Sequence, residues 1–164
     1  MTALLFDPQR NPFDDMRDAL EQARRERKNV LIDIGGDWCI WCHRLEKFID
    51  SHPELAALRT QHYVTIRVYV SDKDDSNEHF LSHLPPIEGI PHFIVYNARG
   101  LLLCSQDTAT FEEGETYNYE RVHAFLLEWS DWHRSPYDRL TTDELKQHFQ
   151  EFMRPDVDST ALSA

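Results

Sequence analysis

The sequence predicts a layered α/β protein, and three observations support that prediction. Segments with helical and with strand-like spacing of apolar residues alternate along the chain. The continuous apolar run 30–34 is typical of a strand buried on both faces of a parallel sheet. A length of 164 residues allows one domain with a substantial apolar core.

Helices are predicted where apolar side chains recur at helical spacing or where capping residues occur. They fall at 14–27, 39–49, 53–58, 119–132 and 141–152. Pro53 suits the first turn of the third helix. Thr141 and Glu144 have the spacing of a capping box that opens the fifth helix. The apolar stripe of 119–132 should pack against the sheet.

Strands are predicted at four places, namely 30–34, 63–70, 93–96 and 101–105. The second strand alternates apolar and polar residues, and the last two flank the turn sequence Asn97-Ala98-Arg99-Gly100, which predicts a hairpin. The segment 71–86 is polar, charged and closed by Pro85-Pro86. We therefore expect a loop there with room for one helical turn.

The chain is expected to divide into three parts. A main domain is predicted at 1–133, and a helical extension at 134–153 should pack on or beside it. The remaining residues, 154–164, are predicted to be a disordered tail.

The balance of charges excludes two classes of partner. With 17 Lys and Arg against 29 Asp and Glu, the formal net charge is −12. Nucleic acids and anionic membrane surfaces both attract cationic proteins, and no run of residues is apolar and long enough to span a bilayer. We therefore expect no nucleic acid and no membrane as partner, and a weak bias toward basic protein surfaces.

Two features predict a cytoplasmic protein. The first thirty residues contain several charged side chains and no apolar segment of signal-peptide length. Three cysteines at uneven spacing are too few for a secreted disulfide scaffold. In a reducing compartment, a close pair of cysteines is more often catalytic or metal-binding than structural.

The C-x-x-C spacing of Cys39 and Cys42 is compatible with a redox couple, half of a zinc site, a haem attachment or coincidence. A structural zinc site needs about four ligands, and no second cysteine pair exists, although His79 and His83 could share a helix face. His43 completes C-x-x-C-H, but haem is attached to such motifs outside the cytoplasm. We predict no metal and no cofactor.

The redox interpretation accounts for more of the sequence. A helix N-terminus after a buried strand would give Cys39 unpaired N–H donors and the positive end of a dipole, which favour a thiolate. Cys42, one turn later, could then resolve a mixed disulfide. Asp33 is a carboxylate in an apolar strand, so its pKa should be raised and it could accept the proton of Cys42. The alternative is that Asp33 forms a cap or lies near water at the strand end.

These residues resemble the thioredoxin family. Asp33 and the sequence Asp37-Trp38-Cys39-Ile40-Trp41-Cys42 resemble its buried acid and W-C-x-x-C site, and Gly89-Ile90-Pro91-His92-Phe93 resembles its cis-proline signature. The resemblance covers roughly 14–132 and is greater to the broader thioredoxin-like groups, some with W-C-x-W-C sites, than to thioredoxin itself. It implies a thioredoxin fold, with a mixed central sheet of about four strands, helices on both faces and an extra C-terminal helix.

The resemblance also implies a role for each site residue. Cys39 would be the exposed attacking thiol, Cys42 the resolving thiol and Asp33 the buried proton acceptor, accompanied by Arg67. The substrate-binding residues would be Trp38, Ile90, Pro91 and His92. The bond before Pro91 would be cis, which is uncommon.

We therefore predict a thiol-disulfide oxidoreductase that reduces protein disulfides and is re-reduced by a donor similar to thioredoxin reductase. Ile40-Trp41 stands where thioredoxin has Gly-Pro, and this dipeptide tunes the redox potential, so the oxidase and isomerase directions stay open. The alternative is a binding or chaperone module with regulatory or idle cysteines. Cys104, in an apolar run, is predicted to be a small core residue.

Overall fold

The computed structural model describes residues 3–153, which fall into two compact units, one ending at Arg134 and the other beginning at Ser135. The helices are α1 (Pro12–Glu26), α2 (Ile40–Ser51), α3 (Pro53–His62), α4 (Glu78–Leu81), α5 (Tyr119–Glu128) and α6 (Thr142–Met153). The strands are β1 (Asn29–Gly35), β2 (Tyr63–Tyr69), β3 (His92–Tyr96), β4 (Leu102–Asp107), β5 (Glu112–Glu113) and β6 (Thr116–Tyr117). The predicted tail at 154–164 lies outside the described residues, and the packing of the helical extension stays a prediction.

The main sheet has four strands in the order β2-β1-β3-β4. β1 pairs with β2 in parallel and with β3 antiparallel, and β3 pairs antiparallel with β4. The register places Asp33 of β1 beside Arg67 of β2. This arrangement confirms the predicted mixed sheet of four strands, and all seven residues of its inner strand β1 are buried.

Helices cover both faces of the sheet, as predicted. On one face, residues of α2, α3 and α5 pack around Leu31 of β1. On the other face, α1 and α4 pack against the side chains of Val30, Ile32 and Ile34. The two inner strands, β1 and β3, are therefore enclosed between two apolar layers, whereas the edge strand β4 is half-buried or exposed.

Tertiary contacts move one helix end well away from its predicted position. α5 stops at Glu128 instead of residue 132. The side-chain amide of Asn29 donates to the carbonyl of Trp129 at 2.8 Å and to that of Asp131 at 3.0 Å. Because these carbonyls bind Asn29, they are positioned by the start of β1, and apolar periodicity alone could not reveal this.

Local capping signals were better guides. α1 begins at Pro12, before the predicted residue 14, because the Asn11 side chain accepts from the Phe13 N–H and proline fits the first turn. The backbone N–H of Thr141 donates to the Glu144 carboxylate at 2.7 Å and the Glu144 N–H to the Thr141 hydroxyl at 3.2 Å, which confirms the capping box. Among residues 3–153, no helix combines the length and the apolar character needed to cross a membrane.

Candidate active site

The two cysteines lie where the chain passes from the carboxyl end of β1 into α2. Cys39 is the N-cap of α2, with extended backbone angles of φ −93° and ψ 114°. Its Sγ accepts a hydrogen bond from the backbone N–H of Cys42 at 3.3 Å, and its own N–H donates to the Gly36 carbonyl at 3.0 Å. Both thiols are free. The helix start therefore holds the two side chains one turn apart.

The two thiols differ in access to solvent. Cys39 is 8% exposed and Cys42 is 2% exposed, so the expectation of an exposed Cys39 is wrong: it packs in an apolar cluster with Phe6 and is only the more accessible of two buried thiols. Burial raises the pKa of the Cys42 thiol, and the hydrogen bond with Cys39 and the charge of Asp33 raise it further. Cys42 is consequently protonated at neutral pH in the reduced protein.

Asp33 is a buried carboxylate on β1. Its Oδ2 accepts from Nη1 of Arg67 at 2.8 Å, whereas its Oδ1 has no hydrogen-bond partner among the described residues. Burial raises the pKa of Asp33 to about 6, although the charge of Arg67 opposes that rise. A carboxylate with a free oxygen and a pKa close to neutrality can accept a proton from a neighbouring acid.

Arg67 is itself fixed by a chain of ion pairs on α2 and α3. Its Nη2 lies 2.9 Å from Oε2 of Glu46, and Arg59 reaches the same oxygen at 2.8 Å and Asp50 at 3.1 Å. Burial alone would raise the pKa of Glu46, but Arg59 and then Arg67 hold it below its ordinary value. The sequence identified Arg67 and missed Glu46, although Glu46 lies four residues after Cys42 and therefore on the same helix face.

The predicted substrate-binding residues surround the more accessible thiol. Trp38 is 48% exposed, and its indole N–H donates to the Val70 carbonyl at 2.9 Å. The Ile90–Pro91 peptide bond is cis, and the Ile90 carbonyl lies 4.0 Å from Sγ of Cys39. A groove of about 400 Å³ begins at Trp38 and is lined by further apolar side chains, those of Val70, Leu81, Pro85, Pro86, Ile87 and Ile90.

His92 lies deeper than the other three residues of that set. Only 5% of it is exposed, and its Nε2 is 2.8 Å from the Ser105 hydroxyl on β4. Its Nδ1 is buried without a partner among the described residues, and burial lowers the pKa of the imidazole. The structure therefore gives His92 a partner inside the sheet and little surface for a client.

The alternative metal ligands do not gather. Among residues 3–153, no group of three or more His, Cys, Asp and Glu side chains is placed to hold a metal ion. The rings of His79 and His83 have centroids 5.1 Å apart, and both pack against Phe13. Cys104 packs against the apolar layer under α2, α3 and α5 but is only half-buried, so it lies at the edge of the core and not inside it as predicted.

One residue near the cysteines was missed entirely. Phe6, which precedes α1, is buried in a small apolar cluster with Cys39 and Cys42. Phe6 ends the short apolar run 3–6, which is a signal that this segment could pack against the core but is too short to indicate where.

Comparison with protein families and curated proteins agrees with this geometry. A family model described as thioredoxin-like matches residues 11–98, more than half of the chain. The thiol:disulfide interchange protein DsbD of Colwellia psychrerythraea is 25% identical over 105 residues, or 63% of this chain and 17% of that protein. DsbD of Escherichia coli K12 is 26% identical over 105 residues, or 64% of this chain and 18% of that protein. The chain thus spans less than a fifth of these relatives.

Solved structures show the same fold. A disulphide isomerase from Xylella fastidiosa Temecula1 superposes with a TM-score of 0.66 at 21% identity, covering 78% of this chain and 98% of that one. A DsbH oxidoreductase superposes with a TM-score of 0.52 at 20% identity, covering 77% of this chain and 86% of that one. At such identities the likeness concerns the fold alone.

Proposed function

Because the chain belongs to the thioredoxin-like family, we propose that it is a thiol-disulfide oxidoreductase that reduces protein disulfides through Cys39 and Cys42. The observation that carries the proposal is the asymmetry of the pair. Cys39, the more accessible thiol, caps α2, and the charge of the Asp33 carboxylate helps to raise the pKa of Cys42, the more buried thiol. The reaction needs such a pair, since one sulfur must meet the client and the other must wait.

In the first step, the Cys39 thiolate attacks one sulfur of the client disulfide. A bond forms between the two sulfurs, the client S–S bond breaks, and the second client sulfur leaves with the electron pair and takes a proton from water. The Cys42 N–H and the N-terminus of α2 favour negative charge on the attacking sulfur. The intermediate is a mixed disulfide between Cys39 and the client.

In the second step, Asp33 accepts the proton of Cys42. The Cys42 sulfur then attacks Sγ of Cys39, and the client leaves as a thiolate that is protonated. Two electrons have passed to the client, and Cys39 and Cys42 are joined in a disulfide. The pKa of Asp33, about 6, suits a base that works near neutral pH, and Arg67 keeps its carboxylate in place.

The client is proposed to lie across Trp38, Ile90 and Pro91. An extended segment there could pair with the backbone of Ile90, while the groove beside Trp38 takes an apolar side chain. Acidic residues of the bordering segment favour clients with basic residues near the cysteine. They are Asp72, Asp74, Asp75, Glu78 and Glu88.

Continued turnover needs a donor of two electrons. We propose a dithiol or a flavoprotein donor of the thioredoxin-reductase kind, and a cytoplasmic setting, because that compartment keeps thiols reduced. The similarity to DsbD, a thiol:disulfide interchange protein, supports thiol-disulfide exchange as the chemistry of this chain.

Reduction of insulin disulfides with dithiothreitol as donor tests the proposal. Cys39→Ser should abolish activity, Cys42→Ser should accumulate the mixed disulfide, and the matched control Cys104→Ser should retain activity. Thiol trapping at defined redox poise then gives the potential of the pair. A value near about −270 mV supports a reductant, whereas a value near about −120 mV would indicate disulfide donation. A pair that does not cycle would favour the binding module instead.

A further inference from the structure

The segment that precedes α1 is held against the cysteines by one carboxylate. Oδ2 of Asp37 accepts from the Leu5 N–H at 3.0 Å, and Oδ1 accepts from the Phe6 N–H at 2.6 Å. Asp37 lies two residues before Cys39, and more than thirty residues separate it from its partners. Both oxygens of this side chain are therefore engaged by consecutive amides of a distant segment, residues 4–6, which we name the N-terminal strap.

Asp37 is also anchored to the first turn of α2. Its backbone carbonyl lies 2.7 Å from Nε2 of His43. Because a carbonyl can only accept, that ring nitrogen carries the hydrogen. The residue that holds the strap is thus fixed to the helix that carries the cysteines.

The strap places Phe6 directly beside the buried thiol. Phe6 is 1% exposed and shares its apolar cluster with Cys39 and Cys42. A Cβ on Gly35 would lie 2.5 Å from Sγ of Cys42 and 2.9 Å from Cζ of Phe6. The ring edge and the sulfur therefore meet over the same glycine, and only a residue without a side chain leaves room for both.

We infer that Asp37 and Phe6 are positioning residues, which clamp the strap over Cys42 and exclude water from the resolving thiol. The inference rests on the proposed function only in giving Cys42 that role. Shielding keeps Cys42 unreactive toward solvent oxidants and second clients until the mixed disulfide brings a sulfur within its reach. Burial, which the strap supplies in part, is the largest cause of the raised pKa of Cys42.

Alkylation of Cys42 tests the clamp without any client. In a Cys39→Ser background, the rate of Cys42 carbamidomethylation by iodoacetamide is followed by mass spectrometry from pH 7 to 10. Phe6→Ala should accelerate the reaction at pH 8 by about tenfold or more, because each pH unit by which the titration midpoint falls raises the thiolate fraction tenfold. Phe6→Leu should largely restore the slow rate.

Asp37→Ala should also accelerate alkylation of Cys42, because it removes the acceptor that holds the backbone of the strap. The Leu5 and Phe6 amides should lose their hydrogen-exchange protection, and Cys42 should become faster to alkylate. Asp37→Asn keeps one acceptor oxygen and should give an intermediate rate, which provides a second variant with a smaller structural change. If the two amides exchange freely while the Cys42 rate and its pH profile stay unchanged, the clamp is wrong.

Two controls separate local opening from loss of stability. Leu4→Ala alters an exposed neighbour in the strap and should change the alkylation rate of neither Cys42 nor Cys104. Leu126→Ala truncates a buried side chain on α5 and should accelerate Cys42 and Cys104 together. Parallel acceleration of both thiols in Phe6→Ala would therefore overturn the inference. Because alkylation requires no turnover, a shielded Cys42 in a protein that fails to reduce insulin would refute the proposed function and leave the clamp intact.

Discussion

The two faces of β1 are equally buried but differ sharply in composition. One face presents only β-branched apolar side chains, those of Val30, Ile32 and Ile34. The opposite face begins with the buried polar residue Asn29 and continues with Leu31 in the apolar layer, Asp33 and Gly35. A single seven-residue strand thus supports ordinary core packing on one side and the cysteines on the other.

The difference in composition shows that the face with Asp33 and Gly35 contributes less to stability and instead positions groups for the proposed reaction. Asp33 must leave water while its carboxylate remains poised to ionise, which costs free energy. Gly35 contributes no apolar contact, but its empty position admits the Cys42 sulfur and the Phe6 ring. Departures from good core design are expected at functional sites and are compensated elsewhere, here by the opposite face of the same strand.

Truncation of the apolar face should have the largest effect on stability. Ile32→Ala removes a fully buried side chain and should lower the free energy of unfolding by about 2–5 kcal/mol. Urea unfolding measures this loss. Insulin reduction by the folded protein should be unchanged below the transition, and a large drop in activity there would contradict the division between the faces.

Removal of the buried charge should stabilise the protein, with a defined pH dependence. The pKa of Asp33 is about 6 in the folded state against an ordinary value of 3.8, so the folded state binds this proton more tightly than the unfolded state. The cost is absent below about pH 4, grows as pH rises toward 6 and is complete above it. Asp33→Asn should therefore add up to about 3 kcal/mol at pH 7.5 and little at pH 4.

Chemical denaturation of both proteins at the two pH values checks this expectation. A gain that does not depend on pH would show that Asp33 is ionised at no cost. The same variant should resolve the mixed disulfide more slowly, since no carboxylate is present to accept the proton of Cys42. Rapid-quench trapping of the intermediate measures that rate.

A methyl group on Gly35, on the face of β1 that also carries Asp33, should lower stability and slow thiol-disulfide exchange. Gly35→Ala would bring Cβ within 2.5 Å of the Cys42 sulfur, so we expect a loss of about 1–3 kcal/mol and slower resolution. Gly89→Ala is the matched control for stability, because no atom beyond its chain neighbours lies within 4 Å of its added Cβ. Equal loss of stability in the two variants on urea unfolding would refute the close packing at Gly35.

Loss of the cation beside Asp33 should give the smallest effect. Arg67 lowers the pKa of Asp33, so Arg67→Met should move the titration midpoint of that carboxyl upward by about one pH unit, or about 1.4 kcal/mol. Carboxyl-carbon NMR of labelled aspartate measures the midpoint. An unchanged midpoint would mean that Glu46, not Asp33, is the main partner of Arg67.

Local patterns predicted most of the fold and the centre of the site. The apolar run of β1, the alternation in β2 and the turn before β4 were sufficient to predict the sheet. The burial of a strand determines the spacing of its apolar residues, so the spacing reveals the strand. The order of Asp33, Trp38 and the cysteines, through its resemblance to the thioredoxin family, was sufficient to indicate which residues meet at the carboxyl end of β1.

The remaining features depend on contacts between distant segments. Asn29 binds carbonyls that follow α5. Glu46, itself paired with Arg59, holds Arg67, and Asp37 holds the strap. The local sequence around each of these polar residues does not distinguish it from a residue that is exposed to solvent. The short strands β5 and β6 were also missed, since two residues are too few to show a period.

The cap of α2 links the start of a helix to an electrode potential. Cys39 accepts the Cys42 N–H through its sulfur, and a charged thiolate accepts such a hydrogen bond more strongly than a neutral disulfide sulfur does. A side-chain cap contributes about 1 kcal/mol. If that stabilisation belongs to the dithiol alone, it makes the couple more oxidising by about 20 mV, so a capping interaction also helps to set the direction in which electrons flow.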